Sequence, residues 1–151
     1  MLNIMRKLLT LIVVFVALSF GAPKIVVKHP WVMEPPPGPN TTMMGMIIVN
    51  EGDEPDYLIG AKTDIAQRVE LHKTVIENDV AKMVPQERIE IPPKGKVEFK
   101  HHGYHVMIIG LKKRIKEGDK VKVELIFEKS GKITVEAPVV KKHRMKHHMH
   151  H

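Results

Sequence analysis

A chain of 151 residues with 43% hydrophobic and 27% charged residues has the length and balance of one globular domain. It contains no cysteine, which excludes disulfide scaffolds, iron–sulfur and thiolate zinc sites, cysteine nucleophiles and blue-copper centres. The formal charge is +7, histidine and methionine each occur 10 times, and aromatics make up only 5%, so the core must be built from Ile, Val, Leu and Met.

Residues 1–21 read as a secretory signal peptide. Arg6 and Lys7 precede an apolar run over 8–20, and Ser19-Phe20-Gly21 is a small-x-small cleavage site, so the mature chain starts at Ala22. The run falls short of a membrane span and Pro23 follows at once, which favours cleavage over an uncleaved N-terminal anchor. Loss of Arg6 and Lys7 lowers the charge from +7 by two, to +5. Export to the periplasm and lysines scattered among glutamates argue against a nucleic-acid partner. After cleavage no stable membrane span is expected.

Residues 22–140 read as one domain. Residues 25–27 lead towards 31–33 as strand, and the proline-rich stretch 35–39 is a stiff surface loop. Strands follow over 42–49 and 57–61, with a turn or a single helical turn at 63–66. Residues 68–76 form a strand that turns back at Glu77-Asn78-Asp79 into 80–91, bent at Pro85. Pro92-Pro93-Lys94-Gly95 is a turn, and 97–100 and 105–111 bracket Gly103. In 120–127, Val121, Val123, Leu125 and Phe127 alternate onto one face, and Ser130-Gly131 turns into 133–139. No segment has a helical period. Roughly seven to nine short strands at regular spacing imply an all-β, antiparallel sandwich. Beyond it, 141–151 is a His/Met-rich tail expected to be disordered.

No catalytic motif is present: neither a nucleophile elbow, nor H-E-x-x-H, nor a phosphate loop. The His/Met pattern is more informative. His105 and Met107 stand at i and i+2, so on a strand they share a face. If the hairpin loop is Glu77-Asn78, His72 lies directly opposite Met83. If it is Asn78-Asp79, Met83 faces Thr74 and still shares a face with His72. Two imidazoles and two thioethers form a soft set suited to Cu(I) and poorly suited to Zn(II), Mg(II) or Ca(II). The bland alternative is that the methionines fill core space and His72 is an ordinary strand histidine.

The spacing His72-x10-Met83-x21-His105-x-Met107 resembles the H-x10-M-x21-H-x-M signature of the periplasmic copper chaperones called PCuAC. Val69-Glu70-Leu71-His72 resembles that family's VELH segment, and Gly103-Tyr104-His105-Val106-Met107 with Gly110-Leu111 its GGxHxM…L segment. Trp31, Met46, Asn50, 125–128 and Gly131 also fit, so the resemblance covers residues 24–139. One departure stands out: His101-His102 replaces the Pro-Gly that usually precedes the loop glycine, which makes the pair either extra ligands or solvated loop residues.

The resemblance implies a cupredoxin-like or immunoglobulin-like sandwich that binds one Cu(I) at His72, Met83, His105 and Met107, converging at one end of the sandwich. It implies no enzymatic turnover and delivery to a copper-accepting partner such as the Cu-A domain of cytochrome oxidase. A copper-buffering protein without a dedicated acceptor is the alternative. The tail residues His143, Met145, His147, His148, Met149, His150 and His151 resemble extensions that take up Cu(II) in some members. Soft neutral ligands also suit a monomer.

Overall fold

The computed structural model describes residues 21–142, so the expected signal segment (apart from Gly21) and the tail ligands from His143 onward lie outside the described residues. Ten strands follow in chain order: β1 Ile25–Met33, β2 Thr41–Asn50, β3 Asp56–Lys62, β4 Ala66–Glu77, β5 Val80–Pro85, β6 Ile89–Ile91, β7 Gly95–Phe99, β8 Tyr104–Leu111, β9 Lys120–Phe127 and β10 Gly131–Val140. They form one continuous ribbon in the order β5-β4-β8-β7-β2-β1-β10-β9-β3-β6, with β8 also pairing β2. The ribbon folds at β10. Residues Gly131–Pro138 pair with β9, while Val139 and Val140 pair with β1. Two layers result, and the expected all-β sandwich is observed. All pairings are antiparallel except β1–β10 and the single β7–β8 pair Phe99↔Tyr104.

Strand alternation fills the space between the layers. Val32, Met44, Met46, Ile48, Leu71, Val106 and Ile108 face Leu58, Ile89, Ile91, Val121, Val123, Leu125 and Phe127 in one apolar cluster. Burying each such side chain stabilises the fold by roughly 1.5–3 kcal/mol. Asn50 ties the layers at one end, donating from Nδ2 to the carbonyls of Glu54 (2.7 Å) and Ile91 (3.2 Å) while its Oδ1 accepts from Lys24 N and Gly52 N. The proline-rich loop is held by Arg114, whose guanidinium donates to the carbonyls of Pro35, Pro36 and Pro39.

One expectation needs correction. Residues 80–91 are not one bent strand: Pro85 ends β5, and β6 crosses to pair with β3 in the other layer. The pairing with β4 ends one residue later, where Gln86 N donates to the Leu71 carbonyl, and the alternation of Ile89 and Ile91 finds its apolar partners across the sandwich. The first strand leads from 25–27 into 31–33 as expected, absorbing a bulge at His29, whose φ is 52°. The segment 63–65 is a turn and contains no helix.

The face of the β4–β8–β2–β1 layer that points away from the core is not bare. Trp31, Met43 and Val140 are buried there, with Met33 and Met107 packed on them, in a second cluster separate from the core. Gly45 makes this possible. A Cβ at that position would lie 2.2 Å from the Trp31 ring and 2.5 Å from the Phe99 carbonyl oxygen. Because one of those neighbours is backbone, Gly45→Ala should lower stability towards the upper end of about 1–3 kcal/mol in urea denaturation. Trp31 is the only tryptophan, so the same variant should show red-shifted emission as the indole is lifted off β2.

Candidate metal centre

The register of three strands builds the centre. The β4–β5 hairpin closes on Asn78 and Asp79, whose φ values of 51° and 63° are those of a type I′ turn that short polar side chains tolerate. This loop fixes Thr74↔Met83 and His72↔Pro85. On the other side of β4, His72 pairs with His105 and Glu70 with Met107. Directly opposed residues share a face, as do residues two apart, so His72, Met83, His105 and Met107 all lie on one face. Their chain neighbours Leu71 and Val106 point into the core. The four therefore occupy the outer face of the layer near its β5 edge.

His72 is the hub of this arrangement. His105 stands directly across from it, with ring centroids 5.9 Å apart. Met83 and Met107 are its diagonal neighbours on either side, a relation that separates residues by about 7–8 Å, with Cβ atoms somewhat closer and within reach of long side chains. Met83 does not lie beside His72 in this register. It sits opposite Thr74 on the edge strand, 52% exposed, on a flexible unbranched side chain.

Hydrogen bonding decides where each imidazole proton sits. His105 Nδ1 lies 3.1 Å from the carbonyl oxygen of Gly103, which only accepts, so Nδ1 carries the hydrogen and Nε2 keeps a free lone pair. His72 Nε2 lies 3.0 Å from Glu70 Oε1. Glu70 is held below the ordinary carboxylate range, first by the His72 hydrogen bond and then by that of Arg68, whose Nε donates to its other oxygen at 3.0 Å. The carboxylate accepts, so His72 Nε2 carries the hydrogen and Nδ1 keeps its lone pair.

Both remaining nitrogens, His72 Nδ1 and His105 Nε2, are buried without a hydrogen-bond partner. A buried acceptor left without a partner costs about 1–3 kcal/mol. Burial also pushes the His105 pKa below its ordinary 6.5, and the neighbouring His72 adds to the effect against the opposing Gly103 hydrogen bond, so the ring is held neutral. Two imidazoles, each oriented by an outer hydrogen bond and each turning a partnerless ring nitrogen towards the other strand, have the arrangement that a pair of metal ligands requires.

Among the described residues no group of three or more His, Asp or Glu side chains forms a metal cluster. Oxygen and nitrogen donors alone therefore do not complete a centre here, and the neighbouring donors that remain are thioethers. His101 and His102 meet edge to face in the β7–β8 turn, centroids 4.6 Å apart, and do not join His72 and His105 as a third nitrogen ligand. The tail ligands His143 to His151 lie outside the described residues. Sequence reasoning did not find Glu70 and Arg68 as orienting groups. Their i, i+2, i+4 spacing with His72 on one strand face was the available signal.

Known proteins match the chain in sequence and in fold. The family model "Putative lipoprotein LpqE-like" matches residues 25–139. "Putative lipoprotein Lxx21020" of Leifsonia xyli subsp. xyli is 29% identical over 93 residues, covering 61% of this chain and 56% of that protein, so the match spans little more than half of that relative's length. The copper-bound PCuAC domain from PmoF2 is similar at 30% identity with a TM-score of 0.68, over 78% of this chain and 93% of that one. The Cu(I) form of DR1885 from Deinococcus radiodurans, solved in solution, is similar at 30% identity with a TM-score of 0.63, over 82% of this chain and 83% of that one. Among the described residues no helix is long and apolar enough to cross a membrane. Matched over nearly the whole sandwich, the chain belongs to the LpqE-like, PCuAC-type family.

Proposed function

We propose that the protein is a periplasmic Cu(I) carrier that holds one ion on His72 Nδ1, His105 Nε2 and the thioethers of Met83 and Met107, and gives it to an acceptor without turnover. The single observation that carries this reading is the pair of buried, partnerless imidazole nitrogens on facing residues. The copper named in the structural relatives supports the choice of metal, and the thioether neighbours support its reduced state. Met83 supplies the moving part. From the exposed edge strand its side chain closes over the ion on loading and withdraws on release.

Delivery follows from ligand chemistry. Thiolates bind Cu(I) more strongly than imidazole and thioether do, so copper runs downhill to a thiolate acceptor with no energy source. The Cu-A domain of cytochrome oxidase has such thiolates and is the acceptor proposed. The tail from His143 to His151, rich in imidazole, is proposed to take up Cu(II) separately from the core ligands.

Met83→Leu should leave folding stability within about 0.5 kcal/mol, because the side chain is half exposed, yet weaken Cu(I) binding by roughly 10-fold or more in a competition titration. Equal loss of stability and affinity would make Met83 a packing residue. Glu70→Ala should lower affinity by about 10–100-fold by freeing the His72 ring to turn and change tautomer.

The pH dependence follows from the His105 shift. Its folded pKa lies below 6.5, so the ring is neutral above that value, and proton competition at this ligand sets in only as pH falls below 6.5. Cu(I) retention should therefore hold in neutral buffer and fall in more acidic buffer. Retention that drops already between pH 8 and 7 would point to a different ligand.

Cu(I)-loaded protein mixed with an excess of reduced, soluble Cu-A domain should lose its copper to that domain. Copper that stays on the carrier would replace delivery with buffering. Removing residues 143–151 should abolish most Cu(II) uptake and leave Cu(I) affinity unchanged, and Cu(II) uptake that survives the removal would refute a separate role for the tail.

A further inference from the structure

Beside the histidine pair, the same outer face carries a row of methionines of which the proposed carrier site uses only Met107. Met43 pairs directly with Met107 across β2 and β8. Met33 follows the Val32↔Met44 pair, which brings it next to Met43 from β1, and on its far side it pairs with Val140. Met33, Met43 and Met107 pack in one cluster with Trp31 and Val140, cut off from the main core by the sheet itself. Their chain neighbours Val32, Met44 and Val106 are the ones that fill the core.

Three features set this row apart from ordinary core filling. Neighbouring strands are about 4.7–4.9 Å apart, so three thioethers in lateral register on three adjacent strands are spaced closely enough to share one soft ion. Met43 is 4% exposed, but its neighbours Met33 and Met107 are only half-buried, so the row opens to solvent at its flanks. Met107 also belongs to the histidine centre, two residues from His105. One sulfur therefore faces both places.

We infer that Met33, Met43 and Met107 form a second, thioether-only Cu(I) position, joined to the His72–His105 centre through Met107. Thioethers are neutral at every physiological pH and need no deprotonation, so this position accepts Cu(I) without proton release. Three sulfurs bind more weakly than two imidazoles with two sulfurs, so the ion passes towards the histidines. No bond to oxygen and no change of oxidation state is involved, only exchange of one neutral ligand for another. The inference rests on the Cu(I)-carrier reading, which supplies the ion and its destination.

The test is methionine-methyl NMR of the full chain, labelled with 13C at the methionine methyls, during anaerobic titration with Cu(I). The first equivalent should shift Met83 and Met107. Further Cu(I) should shift Met33 and Met43, while the core residues Met44 and Met46 stay fixed. The tail methionines Met145 and Met149 give their own signals and do not confuse the reading. The double variant Met33→Leu with Met43→Leu keeps the volume, and it should lose the second response while its first-equivalent affinity stays within about twofold. Met33 and Met43 methyls that never move at saturating Cu(I), while Met83 and Met107 do, would overturn the second position and leave the carrier reading standing. If none of the four moves, the carrier reading itself fails.

Discussion

His72 and His105 each have one N–H to give, and each gives it away from the space between them. Gly103 takes one and Glu70 takes the other, which leaves two lone pairs buried on facing residues of adjacent strands. The pairing His72↔His105 is thus more than a sheet contact. It holds two acceptors where no protein group satisfies them, at a cost of about 1–3 kcal/mol each that a bound cation removes. The rest of the site follows from that pair. The diagonal rule brings Met83 and Met107 to either side of it, and Arg68 fixes the carboxylate that fixes the ring.

The sandwich serves this face by making it rigid from behind. The alternate residues of the same strands, Leu71, Val106, Ile108 and Met44, are locked into the core, so the outward residues inherit a fixed register. Exposure is greatest at the edge. β5 pairs only with β4, is exposed along its whole length and ends at Pro85, and it carries Met83. The strand order thus separates the buried histidine pair from the exposed Met83.

Much of this was legible in the sequence, because parity in a strand is a local property. His105 and Met107 had to share a face, and Asn78-Asp79 was one of two loops that kept Met83 with them. The choice between the loops was not legible, since both offered residues suited to a tight turn, and it displaced Met83 from His72 to Thr74. Three features depend on contacts far apart in the chain and had no local signature. These are the crossing of β6 to the second layer, the outer-face position of the centre, and the lateral row of Met33, Met43 and Met107, which exists only because β1, β2 and β8 are neighbours. Glu70 was visible as a residue but not as a ring-orienting group, because that role requires knowing which imidazole nitrogen faces it.

The central claim is that one named nitrogen on each ring is kept free for the metal. Long-range 15N–1H correlation of the histidine rings reads this directly. The apo protein should show His105 as the Nδ1–H tautomer and His72 as the Nε2–H tautomer, and one equivalent of Cu(I) should shift His105 Nε2 and His72 Nδ1 while the protonated nitrogens keep their hydrogens. The opposite tautomers in the apo protein, or ring nitrogens that ignore Cu(I), would contradict the account.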